Sequence, residues 1–172
     1  VQNTHIAVTN LDLIGGNVAY LQFYNINTNS LINSFTFNAN SIKWAIYDNS
    51  GSYLCSTFSD QSIKCYTYNS GTSMYVLDKN WNIASLALGY PYCINFGITN
   101  QLIVTSSPNI VFFDMLATPT PTKLLSYADA EDIFVLDSNS NMQYLVTGGR
   151  NGKVGLWKQK PQNNNNQNIA VV

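Results

Sequence analysis

Ser41-Ile42-Lys43-Trp44-Ala45-Ile46-Tyr47, then Asp48-Asn49-Ser50-Gly51, then Tyr53-Leu54-Cys55-Ser56-Thr57-Phe58 reads as strand, turn, strand. Asp, Asn, Ser and Gly are turn formers because short side chains bond their own backbone and glycine tolerates positive φ. The pattern continues. Ser59-Asp60-Gln61-Ser62 is a second turn, Ile63-Lys64-Cys65-Tyr66-Thr67-Tyr68 a third strand, Asn69-Ser70-Gly71-Thr72 a third turn and Ser73-Met74-Tyr75-Val76-Leu77 a fourth strand. Four short antiparallel strands joined by tight turns make one meander.

The same unit recurs. Runs ending in an aromatic stand at Tyr24-Asn25, Tyr66-Thr67, Phe113-Asp114 and Trp157-Lys158, spaced by 42, 47 and 44 residues. A period in that range predicts a repeat architecture. The last repeat overlays the second without a gap: Tyr144-Leu145 falls on Tyr53-Leu54, Val154 on Ile63 and Trp157 on Tyr66.

Leu145-Val146-Thr147-Gly148-Gly149-Arg150-Asn151-Gly152-Lys153-Val154-Gly155-Leu156-Trp157-Lys158 resembles the hairpin core of a WD-repeat β-propeller, a fold of radially arranged four-stranded sheets. Ser41 to Leu77 resembles the family across a whole repeat, Val18 to Asn29 supports a first repeat, and Gln101 to Asp114, with a shortened turn at Pro108-Asn109, supports a third. The expected fold is all-β: a propeller segment of about four four-stranded antiparallel blades, part of a larger ring of about seven. The blades are placed at 1–38 (first strand missing), 39–79, 80–128 and 129–160; an Asn-rich low-complexity linker is placed at 161–168 and a closing strand at 169–172. The resemblance assigns structural signature roles to Tyr24, Ser56, Asp60, Tyr66, Phe113, Asp114, Thr147, Asn151 and Trp157. The family's hydrogen-bond tetrad is incomplete here: Asn151 stands for its Asp, Tyr66 for a Trp, and His5 is the chain's one histidine. Packed aromatics and strand ladders are therefore expected to hold the blades.

Composition narrows the function. Ten per cent of residues are charged, 13% are aromatic and the net charge is −1. That balance argues against nucleic-acid or membrane-surface partners, which call for a basic excess. Apolar runs stay well below the 18 residues of a membrane span. Cys55, Cys65 and Cys93 show no disulfide framework and no metal spacing. None of the 24 asparagines opens an Asn-x-Ser/Thr acceptor. An intracellular, cytoplasmic location is the expectation; a ciliary or other large-assembly site is also compatible but does not follow from the sequence.

Catalytic groups are sparse. His5 lacks a carboxylate or nucleophile at a recognisable spacing, so it reads as structural. Asp48, Asp60 and Asp137 read as turn residues, and Asp129-Ala130-Glu131-Asp132 lacks the spaced oxygens of a calcium loop. No cofactor, metal, catalytic residue or small-molecule substrate is expected. Half of the positive charge, at Arg150, Lys153, Lys158 and Lys160, sits on the last hairpin. Trp44, Trp81, Tyr90 and Tyr92, with Arg150 and Lys153, are the candidate partner-binding residues. Aromatic and arginine side chains suit interfaces because they bury much area per fixed rotamer. The function these features favour is a non-catalytic protein-interaction scaffold, its partners other proteins that could complete the propeller. The alternative is a β-sandwich-type carbohydrate-binding module, which suits low charge with many Asn, Tyr and Trp but leaves the repeat unexplained.

Overall fold

The computed structural model describes residues 4–12, 18–38, 42–48, 50–86, 88–97, 100–117, 121–126, 132–139, 141–159 and 169–171. Among these the chain is all-β. The strands are β1 (His5–Asp12), β2 (Val18–Asn25), β3 (Ser30–Asn38), β4 (Ile42–Tyr47), β5 (Tyr53–Phe58), β6 (Ser62–Asn69) and β7 (Met74–Asn82). A single 3-10 turn at Ala84–Leu86 precedes β8 (Pro91–Phe96), β9 (Gln101–Ser106), β10 (Asn109–Asp114), β11 (Pro121–Ser126), β12 (Ile133–Ser138), β13 (Tyr144–Gly149), β14 (Val154–Gln159) and β15 (Ile169–Val171). They form four antiparallel sheets in chain order: β1-β2-β3, β4 to β7, β8 to β11 and β12 to β15. The linker expected at 161–168 and the acidic Asp129 and Glu131 lie outside the described residues.

The second and fourth sheets share their turn hydrogen bonds at a constant offset. Asp48 Oδ1 accepts from the Tyr53 amide (2.8 Å), and Asn139 Oδ1 accepts from the Tyr144 amide (2.9 Å). The Gly51 amide donates to Asp48 O, and the Met142 amide to Asn139 O, each at 2.9 Å, with positive φ at Gly51 and Met142. At the next turn the Gln61 amide reaches Phe58 O (3.2 Å) and the Gly152 amide reaches Gly149 O (3.1 Å). Asp60 Oδ1 accepts from the Ser62 amide (3.0 Å) as Asn151 Oδ1 does from Lys153 (2.9 Å). The gapless overlay of the two repeats thus holds through these turn hydrogen bonds.

Two features of register recur. β4, β8 and β12 each carry an irregularity near their first residue where they pair with the following strand. In β2, β6 and β10 another falls immediately before Tyr24, Tyr66 and Phe113, the aromatics that mark the period. A bulge inserts one residue and twists the strand locally, so the signature aromatic enters these three sheets at a bent position, whereas Trp157 pairs in regular register.

Two compact units emerge, Val1–Asn82 and Ile83–Val172, each with two of the sheets. In the first, Leu21 and Phe23 of β2 pack with Leu54, Tyr66 and Tyr75, flanked by Phe35, Phe37 and Tyr47. Phe23 stacks on Tyr75 at 3.9 Å between centroids, and Phe35 meets Tyr66 at 4.7 Å. In the second, Cys93, Ile103, Ile110 and Phe112 meet Ile133, Leu136, Leu145 and Trp157. Apolar burial at roughly 25 cal/mol per Å² makes these two interiors the main source of stability.

Two expectations need correction. The fourth strand of the second repeat does not stop at Leu77 but runs to Asn82, past the boundary set at 79; its polar Asp78-Lys79-Asn80 resembles a turn in composition yet lies along a sheet edge. The first sheet has three strands among the described residues. Cys55 and Cys65 are joined by a disulfide, with Cα atoms 4.1 Å apart. Spacing along the chain does not reveal this pair, because antiparallel register sets residue 55 opposite residue 65.

Candidate functional site

The signature residues act within the sheets. Trp157 is buried, and its indole Nε1–H donates to Thr147 Oγ1 at 3.0 Å. Gly155 leaves the room: a Cβ there would stand 2.6 Å from Thr147 Oγ1 and 3.0 Å from the indole nitrogen. In the second sheet Tyr66 takes the tryptophan's place opposite Leu54, but its buried hydroxyl finds no hydrogen-bond partner among the described residues. Ser56, equivalent to Thr147, donates to Lys64 O (3.3 Å). Burial holds the Tyr66 phenol far above its usual range, with Ser56 pulling less strongly the other way. Phe113 is fully buried, Tyr24 is half-buried, and Asp114 accepts from the Leu116 amide at 2.9 Å.

The candidate binding residues divide. Trp81 is buried, 7% exposed, while Trp44 on β4 is 39% exposed. In the second unit, Tyr90, Tyr92, Arg150 and Lys153 stand at one end of their sheets, where β12 starts and β13 ends. Gly89, at φ +87°, sets the bend before β8; a Cβ there would meet Ser107 O at 2.5 Å. Ser106 Oγ donates to Gly89 O (3.0 Å) and fixes the loop. The bend leaves Tyr90 55% exposed. Tyr92 meets the ring of Phe134 edge-on at 5.0 Å. Arg150 is held beside Asp132, its amide bonded to Asp132 O (2.9 Å) and its guanidinium 3.9 Å from the carboxylate. An exposed pair of that length contributes little stability. Burial, then the Asp132 carboxylate, push the Tyr92 phenol upward while Arg150 opposes them, so these side chains share one electrostatic neighbourhood.

Phe134 escaped the sequence reading because it lies in an apolar run, Ile133-Phe134-Val135-Leu136, in which composition does not separate the two faces. Lys160 lies outside the described residues. Among the described residues no group of three His, Cys, Asp or Glu side chains is placed to hold a metal ion, and no helix is long and apolar enough to cross a membrane. His5 Nδ1 sits 3.2 Å from Tyr75 Oη, and Tyr47 Oη donates to the same oxygen at 3.4 Å. This His–Tyr–Tyr chain lies in an aromatic interior.

The surface feature best suited to recognition is therefore the patch of Tyr90, Tyr92 and Phe134 with Arg150 and Asp132: rings of limited rotamer freedom beside a charged rim. In comparison with known proteins, the chain matches no family model and no curated sequence.

Proposed function

We propose that this chain is a WD-repeat-like propeller segment and works as a non-catalytic scaffold that docks other proteins. The support for the propeller is the matching turn hydrogen bonds of two meander sheets and the recurring bulge before Tyr24, Tyr66 and Phe113. These are properties of a repeat, and a carbohydrate-binding sandwich has no need of them. About seven blades would complete the ring. The observation that carries the docking role is the Tyr90–Tyr92–Phe134 patch beside Arg150, because aromatic and arginine anchors dominate interface energetics.

The test is to tag the protein in its native source, identify what co-purifies, and repeat with Tyr90→Ser, Tyr92→Ser and Arg150→Glu. Loss of a partner by at least about tenfold, the effect of one 1.4 kcal/mol anchor, is expected. Unchanged recovery with all three variants overturns the role of the patch. Retention on immobilised glycans in place of protein partners would favour the carbohydrate reading. A cytoplasmic location belongs to this proposal only with Cys55 and Cys65 as thiols, since cytosolic glutathione and thioredoxin keep such pairs reduced.

A further inference from the structure

The turn between β13 and β14 is held by two cross-bonds. The Gly152 amide donates to Gly149 O (3.1 Å), and the Gly149 amide donates to Lys153 O (3.0 Å). Arg150 and Asn151 fill its centre, and Gly152 follows at φ +76°. All three are exposed, as is Lys153. Asn151-Gly152 is the chain's one Asn-Gly dipeptide. A Cβ built on Gly152 meets nothing within 4 Å, so no packed neighbour confines the residue after Asn151.

The Asn151 carboxamide is oriented as well as exposed. Its Oδ1 accepts from the Lys153 amide at 2.9 Å. That donor polarises the side-chain carbonyl and stands where negative charge on Oδ1 would be stabilised. The Gly152 backbone nitrogen is the nucleophile that can close a five-membered ring on Asn151 Cγ. One interaction opposes closure, because the Gly152 N–H must leave Gly149 O. Losing an exposed hydrogen bond of this kind slows the step by about tenfold at most. Gly152 brings no Cβ to obstruct the attack, whereas Asn69 and Asn139 are followed by Ser70 and Ser140.

We infer that Asn151 is a site of intramolecular deamidation in the folded protein, with water as the co-reactant. The Gly152 nitrogen gives its proton to solvent base and bonds to Asn151 Cγ. The bond from Cγ to Nδ2 breaks, and the nitrogen gains a proton from water and leaves as ammonia. A second water opens the cyclic imide. Attack at Cγ gives aspartate; attack at the main-chain carbonyl carbon of residue 151 gives isoaspartate, whose backbone runs through Cβ and Cγ. The sum is one water consumed and one ammonia released, with no oxidation or reduction.

The two products differ in this fold. Aspartate already serves at the equivalent place: Asp60 Oδ1 accepts from the Ser62 amide at 3.0 Å, as Asn151 Oδ1 does from Lys153. Isoaspartate lengthens the main chain inside a turn whose two cross-bonds fix its span. It therefore disturbs the register that sets Thr147 opposite Gly155 and Trp157 opposite Leu145. Either product puts a carboxylate between Arg150 and Lys153. The inference goes beyond the scaffold reading and does not depend on it.

The experiment incubates the intact folded protein near neutral pH at physiological temperature and follows each asparagine by peptide mass mapping. Enzymatic methylation of isoaspartyl carboxyls marks that product. Asn69 and Asn139, also exposed turn residues, serve as internal controls. Asn151 is expected to gain the deamidation mass at least about tenfold faster than either, with isoaspartate among the products. Gly152→Asn, a residue that tolerates positive φ, should slow the conversion. Conversion no faster than at the controls, conversion only in urea, an unchanged rate in Gly152→Asn, or product without isoaspartate would each overturn the inference.

Discussion

Tyr66 and Trp157 occupy equivalent positions and differ in one hydrogen bond. The indole reaches Thr147, whereas the buried Tyr66 hydroxyl has no partner among the described residues. A buried, unsatisfied polar group costs about 1–3 kcal/mol, so Tyr66→Phe is expected to leave the unfolding midpoint unchanged or raise it. Gly155→Ala should do the reverse and lower stability by about 1–3 kcal/mol, since its Cβ collides with the Trp157–Thr147 pair; urea denaturation checks both. Burial pushes the Cys93 thiol from 9.0 up to about 11, and Tyr47, Tyr66, Tyr75 and Tyr92 are also raised, by burial first. The folded state therefore holds these protons more tightly than the unfolded chain does. Their contribution is fully present below the unfolded values and is lost as pH rises through the folded ones. The denaturation midpoint should fall steadily above pH 9, where the Cys93 thiol would begin to ionise in the unfolded chain. The Thr147–Trp157 pair was legible in the sequence because the motif places both residues. The orphaned hydroxyl was not, because Ser56 spends its bond on a backbone carbonyl that no motif specifies.

At the level of elements, Asn33 of β3 does the work of a short piece of strand. Its side-chain amide donates to Tyr75 O (2.9 Å) and its carbonyl accepts from the Tyr75 amide (3.2 Å), so it occupies the outer edge of β7. Asn33→Ala is expected to cost about 1–2 kcal/mol and to increase self-association, read as a concentration-dependent sedimentation coefficient, because an uncapped edge invites pairing. Strands and turns were largely legible, since alternation and Asp/Asn/Ser/Gly clusters act locally: β5 spans the expected Tyr53–Phe58, and the turn at Asp48 closes as its composition implies. Bulges and edge caps were not legible. They depend on which strand lies alongside, and composition carries no record of a neighbour more than 40 residues away. The candidate site was half legible: tyrosines beside Gly89 and Pro91 signalled a presented loop, while the face of Phe134 was settled only by packing.

For the whole molecule, the pair Cys55–Cys65 sets a condition on where the chain works. The bridge closes a loop across a sequence separation of 10, for which loop-closure entropy gives at most about 3 kcal/mol. Thiol alkylation followed by mass measurement on protein from its natural source should find one reactive cysteine, Cys93, after denaturation if the bridge is present, and three in a reducing compartment. All four sheets keep their strands in chain order, and that order bears on synthesis at the ribosome. A meander needs no later segment to complete it. The second sheet has its full set of strands once Asn82 has emerged, and the third once Ser126 has. Translation and folding can therefore advance sheet by sheet, with nascent apolar surface exposed for little more than one repeat at a time.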